Sequence, residues 1–167
     1  LVKKAKPVKC DVLCLEGTYA GRDHLKKRDE LEKEFLDKIE EVVNRGGTAV
    51  LPVFAVARSQ EIAIILKDSG FNTWFDGMGR KVSKIFLKYS KYLRSKEDLK
   101  KALNRLNEVH SDHGRKLALK SEVIITSSGM MDGGPVLGYM KHLRNDPKSA
   151  VILTGYQVKN TNSNLLV

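Results

Sequence analysis

This sequence predicts an α/β fold, a mostly parallel sheet with helices on both faces, on three observations. Short runs that are apolar along their whole length recur through the chain, as suits strands buried on both sides. Between them lie longer segments with apolar residues every three or four positions, the helical crossovers that parallel pairing needs. The third observation is where the unusual residues fall. Glycine-rich, charged and aromatic clusters at 16–22, 54–58, 76–79, 127–134 and 155–157 each follow an apolar run. That is the carboxyl end of each expected strand, where such folds bind ligands.

Residues 11–16 (DVLCLE) read as a buried strand ending on a charge. Residues 25–44 set Leu31, Phe35, Ile39 and Val42 on one helical face, and Gly46-Gly47 ends that helix. Residues 48–54 (TAVLPVF) form the next strand; Pro52 has no N–H for a ladder and marks its carboxyl end. Residues 57–67 are helical with Ile62, Ile65 and Leu66 inward, and 72–76 (NTWFD) make a short strand. Two helices follow. The first, 80–93, turns Val82, Ile85, Phe86, Tyr89 and Leu93 towards the core. The second, 97–107, begins after Ser95, with Asp98 three residues on as in a capping box. Residues 109–120 are less regular. Residues 122–126 (EVIIT) are a strand, 134–143 a helix and 150–154 (AVILT) a last strand. The strand order is not legible.

At 167 residues and 41% apolar composition the chain can close one domain around a real core. No apolar stretch approaches the ~20 residues that span a bilayer. Cys10 and Cys14, four apart, cannot staple a fold and form no CxxC pair, so a reducing, cytoplasmic setting is the default. The net charge of +10 is localised. Residues 79–120 carry 13 basic and 4 acidic side chains, whereas residues 1–78 are balanced. Such a block suits a polyanion, RNA or DNA ahead of a membrane surface, and suits a solvated lysine-rich face equally well. Charge alone does not choose.

The loop at 127–134 (SSGMMDGG) follows a strand and opens a helix. Its small residues would let backbone N–H groups reach a phosphate at the helix start. It is neither GxxxxGK[ST] nor GxGxxG, and Asp132 stands inside it, so a plain tight turn is the other reading. His24, His110, His113 and His142 form no HxHxDH or HExxH cluster, and a zinc site needs three or four ligands. No metal site is expected in this chain. Glu16 and Asp76 each end an apolar run; they could serve acid–base chemistry, or cap helices and pair with Arg22 or Arg58. Tyr19, Trp74, Tyr89, Tyr92, Tyr139 and Tyr156 could stack on bases, although Tyr89 lies on the apolar stripe of its helix and reads as core.

Taken together, residues 16–24 (EGTYAGRDH), 46–61 (GGTAVLPVFAVARSQE), 76–78 (DGM), 128–135 (SGMMDGGP) and 155–157 (GYQ) resemble the beta-CASP domain. That domain is inserted in RNA-processing metallo-beta-lactamases of the cleavage-and-polyadenylation and ribonuclease J types. The resemblance covers essentially the whole chain. It implies a cap domain over residues 1–167, with 1–16 and 158–167 as junctions to a missing catalytic domain. In the intact protein that domain would hold zinc and hydrolyse phosphodiester bonds of single-stranded RNA, in 3′-end processing or decay. The chain alone, without HxHxDH, is expected to be inactive and to hold no cofactor. The resemblance leaves room for a homodimer of the whole protein and implies no membrane.

Residue by residue, the resemblance assigns Glu16 a supporting catalytic role towards a histidine near the metals. It places Arg22, His24, Arg58, Gln60, Ser128 and Gly129 on the RNA cleft. Ser127, Gly133 and Gly134 join them from the loop reading, and Lys81, Lys84 and Lys88 from the basic block. The chain departs from the family at several points: Gly17 replaces Ser, Ala57 replaces the common Gly, and Leu25 stands where Pro is frequent. Residues 160–164 (NTNSN) lack the usual glycines and arginine. Two alternatives stay open, a nucleic-acid-binding domain of an inactive paralogue and a nucleotide-binding α/β domain.

Overall fold

Five short strands, β1 (Ala49–Pro52), β2 (Thr73–Asp76), β3 (Asn107–Glu108), β4 (Val123–Thr126) and β5 (Ala150–Val151), form one sheet in the order β3-β2-β4-β1-β5. Every pairing is parallel, and Leu51 and Phe75 both lie opposite Ile125 in the central register. This computed structural model describes residues 1–21 and 26–167. Leu25, at the start of the expected first helix, lies outside them.

Alternation along the strands explains why the sheet is covered on both faces. Side chains two apart share a face. Leu51 and Ile125 therefore meet helices α1 (Arg28–Asn44), α2 (Arg58–Leu66) and α4 (Lys96–Asn104) through Ile39, Val42, Ile62, Leu66 and Ala102. Ile124 and Val50 look the other way. They meet α5 (Asp112–Ala118) and α6 (Pro135–Leu143) through Ala118, Tyr139 and Val136. Val50, Leu51, Val123, Ile124 and Ile125 are all fully buried, each contributing about 1.5–3 kcal/mol of transfer free energy. The helix layers on both faces of the sheet, expected of the α/β fold, are present.

Four local expectations need correction. Residues 11–16 form no strand: Val12, Leu13 and Leu15 are 81%, 66% and 78% exposed. Apolar composition signals a need for burial without naming the surface that supplies it, and no strand of this sheet pairs with them. The stretch 109–120 contains α5, whose start Ser111 caps by accepting a hydrogen bond from the Gly114 N–H at 3.3 Å. Asn107, expected as the last residue of a helix, instead begins the edge strand Asn107–Glu108 beside β2. The helix expected over 80–93 stops early. Helix α3 (Gly79–Lys88) is followed by a 3-10 turn at Ser90–Tyr92.

The reason α3 departs from its apolar stripe lies in its neighbours. Its fully buried residues are the small Gly79 and Ser83, one helical turn apart. The Gly79 position lies against Phe75 and Ser59, and the Ser83 hydroxyl meets the Gln60 amide at 2.9 Å. With that narrow strip facing α2, Ile85 and Tyr89 turn outward and are 55% and 52% exposed. Tyr89 is therefore not a core residue.

Candidate functional site

Parallel strands deliver all their following loops to one edge. After β1 the chain runs through residues 53–57 into α2; after β4 it runs through 127–134 into α6; after β5 it continues into 152–158. The first two loops touch. A side-chain carbon at Gly129 would stand 3.0 Å from the Phe54 backbone nitrogen, so only glycine lets the loops approach this closely. Gly77, after β2, joins them from the other side. Its φ is +95°, and an added carbon there would meet the Ser127 hydroxyl at 2.2 Å. The Ser127–Ser128 peptide is cis.

Around this junction lies a cavity of about 310 Å³. Glu16, Tyr19, Phe54, Arg58, Gly129, Met130, Tyr156 and Gln157 are among its walls. An adjoining groove of about 780 Å³ shares Tyr19, Arg58, Thr154 and Gly155 and extends over Phe35 and Ile62. Glu16, Arg58 and Gly129 thus share one cavity at the carboxyl ends of β1, β4 and β5.

Glu16 is exposed and accepts a 2.6 Å hydrogen bond from the Thr18 N–H. The Thr18 hydroxyl and that N–H hold its carboxyl below the ordinary value of 4.5. It stays an anion. Arg58 opens α2 and gives one guanidinium nitrogen to Glu61 at 2.9 Å, while Arg28 approaches the other Glu61 oxygen at 2.7 Å. Its side chain remains 41% exposed, with further donors of the planar fork for an anion in the cavity.

Burial pushes the Glu61 carboxyl up, but the Arg28 hydrogen bond and the charges of Arg28 and Arg58 outweigh it, and the net shift is downward. A carboxylate held below its unfolded value of 4.5 contributes stability above that pH and loses it as pH falls through the lower folded value. Both arginines are well exposed, so the contribution is about 1 kcal/mol or less. Glu61→Gln should accordingly lower stability at pH 7 and flatten its decline below about pH 4.5. Urea unfolding at a series of pH values checks this.

Arg58 is reached through an unusual turn. Ala57 has φ +66° and ψ −56°, and the Arg58 N–H donates to the Val56 carbonyl at 2.8 Å. This is a γ-turn of the rare positive-φ kind, which L-residues enter only with strain. Ala57 is exposed and buries nothing there. Ala57→Gly should therefore stabilise the chain by about 1 kcal/mol, strain relief exceeding the added chain entropy. A melting midpoint raised by roughly 2–4 °C would register it.

Other assigned residues are placed differently. Gln60 does not face the cavity: it is fully buried, its amide nitrogen lying 3.1 Å from the Gly79 carbonyl and 3.2 Å from that of Ala55. It ties the start of α3 to the loop before α2, because the third helical position of α2 points into the fold. Ser127 and Ser128 are half-buried, and the Ser127 carbonyl accepts from the Val136 N–H, occupying one donor at the start of α6. Gly133 and Gly134 sit on the outer side of that loop, half-buried and exposed. Of the two loop methionines, Met131 packs inward and Met130 lines the cavity. Lys81, Lys84 and Lys88 are exposed along α3, outside the cavity walls. Arg22 and His24 lie outside the described residues.

Two arrangements were not legible beforehand. Asp76, fully buried, accepts from the Tyr139 hydroxyl at 3.0 Å and from Arg115 Nε at 2.9 Å, while its other oxygen takes the Gly77 N–H at 2.7 Å. Among the described residues its cationic partner is therefore Arg115 and not Arg58, and Tyr139 is not free to stack on a base. Burial and the Asp76 charge push the Tyr139 hydroxyl well above its ordinary value, so it remains a donor. The second concerns residues 160–164. The Asn162 N–H donates to Asp132 at 2.8 Å, its amide to the Met131 carbonyl at 2.9 Å, and the Ser163 N–H to the Met130 carbonyl at 3.1 Å. The segment braces the loop after β4.

Among the described residues no three His, Cys, Asp or Glu side chains are grouped to hold a metal ion. His110 is engaged with Arg80 at 2.8 Å and lies 3.3 Å from Glu108, and His113 is exposed. These donors do not fit a zinc site, and the family resemblance assigns the zinc to the missing domain. No helix of the described residues is long and apolar enough to cross a membrane.

The model of a family described as the Beta-Casp domain matches residues 56–166. Probable RNase MJ4 of Methanocaldococcus jannaschii is 38% identical over 164 residues, which cover 94% of this chain and 38% of that protein. RNase aCSPSF2 of Saccharolobus solfataricus is 40% identical over 154 residues, 90% of this chain and 31% of that protein. Transcription termination factor FttA of Methanocaldococcus jannaschii is 36% identical over 171 residues, 90% of this chain and 27% of that protein. The chain thus spans about a third of the length of these curated relatives.

Proposed function

Because the chain belongs to the beta-CASP domain family of RNA-processing nucleases, we propose that it is the RNA-clamping cap of a larger metallo-beta-lactamase-fold ribonuclease. The observation that carries this reading is the cavity at the strand ends, where Arg58 offers a cationic fork beside backbone that Gly129 keeps open. Phosphate is the ligand such a fork suits. Single-stranded RNA would pass this cavity, with Arg22, His24, Ser127, Ser128, Gly133 and Gly134 along its path and the lysines of α3 holding its backbone.

Hydrolysis of the phosphodiester belongs to the intact protein, in RNA 3′-end processing or decay in the cytoplasm. The zinc would be held by the domain this chain caps, since the described residues supply no ligand set. Glu16, an exposed carboxylate at the cavity, would orient a histidine of that domain. Residues 1–16 and 158–167 would be the junctions, and the exposed Val12, Leu13, Leu15 and Leu165 would be covered there. The chain alone would bind RNA without cleaving it.

A titration of the chain with labelled single-stranded RNA at increasing salt tests the reading. Each neutralised phosphate contributes roughly 0.7 to the slope of log K against log salt. Three or four contacts give an expected slope of about −2 to −3. Salt-independent binding, or none at low salt, would overturn it.

A further inference from the structure

The end of α3 and the turn after it make a surface outside the cavity. Tyr89 and Tyr92 are 52% and 59% exposed, and the Tyr92 N–H donates to the Tyr89 carbonyl at 3.1 Å, so one turn carries both rings. Lys88 Nζ lies 5.8 Å from the Tyr89 ring centre and Lys91 Nζ 4.9 Å from that of Tyr92. Between residues 79 and 96 there are seven basic side chains and no acidic one. An exposed tyrosine pair among lysines fits a ligand with flat faces and negative charge along its length.

The turn is held from behind. Leu93 is buried, Val2 bridges to it, the Lys3 N–H donates to the Tyr92 carbonyl at 2.9 Å and the Arg94 N–H to the Leu1 carbonyl at 3.0 Å. Arg94 Nε reaches the Val2 carbonyl at 3.0 Å and Lys3 Nζ the Lys91 carbonyl at 2.8 Å. Fixed backbone under exposed rings reduces the ordering that binding would otherwise require.

We infer that Tyr89 and Tyr92 are a stacking platform for unpaired bases, with Lys84, Lys88 and Lys91 beside it for the phosphates. The occupant is single-stranded nucleic acid, because the rings accept any base face while the lysines favour the backbone. Helix α3 starts at the carboxyl end of β2 and runs about 15 Å away from it. A strand leaving the cavity along Lys81, Lys84 and Lys88 would arrive at these rings. The inference rests on the RNA-binding reading and adds a base-contacting site to it.

The probe is a twelve-nucleotide oligouridylate, compared with an abasic ribose-phosphate chain of equal length. The Tyr89→Ala/Tyr92→Ala variant should bind the oligouridylate about tenfold or more weakly, with an unchanged salt slope, and should bind the two probes alike. The Tyr89→Phe/Tyr92→Phe variant, which keeps both rings, should bind like the parent chain. Melting curves establish that the variants are folded. Unaltered affinity in the alanine variant, with the parent chain binding RNA, would overturn the platform and leave the RNA-binding reading standing. Failure of the parent chain to bind either probe would overturn both.

Discussion

Asp76→Ala should destabilise the chain by about 3 kcal/mol, a large fraction of the stability of a domain this size. The carboxylate is fully buried and does three things at once: it takes the Tyr139 hydroxyl, Arg115 Nε and the Gly77 N–H. Alanine leaves the Tyr139 hydroxyl buried without its acceptor and frees the turn that Gly77 makes against Ser127. Arg115, which is 46% exposed, can turn to water, so its loss adds less. Asp76→Asn should cost about half as much, because one amide oxygen cannot replace both carboxylate oxygens. Tyr139→Phe should cost about 1 kcal/mol, since it removes one donor and leaves Asp76 with two. Urea midpoints of the three variants order these effects. A cost for Asp76→Ala below that of Tyr139→Phe would show that the carboxylate is not the centre of the network.

Reversal of three charges on α3 should have the largest effect on RNA. Lys81, Lys84 and Lys88 are exposed, recur at three- and four-residue spacing, and so line one side of the helix. If each neutralises one phosphate, each adds a slope of roughly 0.7, worth a factor of about five at 0.1 M salt relative to 1 M. Lys81→Glu/Lys84→Glu/Lys88→Glu should therefore weaken binding by about a hundredfold or more at 0.1 M. The loss should shrink steeply as salt rises, and the slope should become shallower by about 2. These side chains stand in solvent, so the melting temperature should barely move. Retained affinity at low salt would make the basic block a solvated face.

The two variants separate two kinds of residue on the same molecule. Asp76, Gln60 and Tyr139 hold the strand-end loops in place without reaching the cavity, and their loss should appear first as lost stability. Arg58 and the α3 lysines are exposed enough to meet a polyanion, and their loss should appear first as lost affinity. Gln60 illustrates why motif membership does not separate these kinds. It stands two residues from Arg58, yet it points into the fold and binds the Gly79 carbonyl while Arg58 borders the cavity.

Much of the architecture follows from local composition. Runs such as residues 122–126 are apolar throughout because β4 is covered on both faces, with Ile124 towards one set of helices and Ile125 towards the other. Ser95 starts α4 because its hydroxyl accepts the Asp98 N–H at 3.0 Å, an interaction complete within four residues. The meeting of Arg58 and Gly129 also follows, since parallel strands put every following loop at one edge; Glu16, which follows no strand, reaches their cavity only through the tertiary fold. Only the tertiary structure decided the rest. The order β3-β2-β4-β1-β5 depends on pairings between segments far apart in sequence. The outward turn of Tyr89 was set by Gly79 and Ser83, whose small side chains fit against α2 where the larger apolar ones would not. Asp76 found Arg115 and Tyr139 across separations of 39 and 63 residues, which no local pattern encodes. Burial of a segment is a short-range demand of its composition; the partner that satisfies it is a property of the whole packed chain.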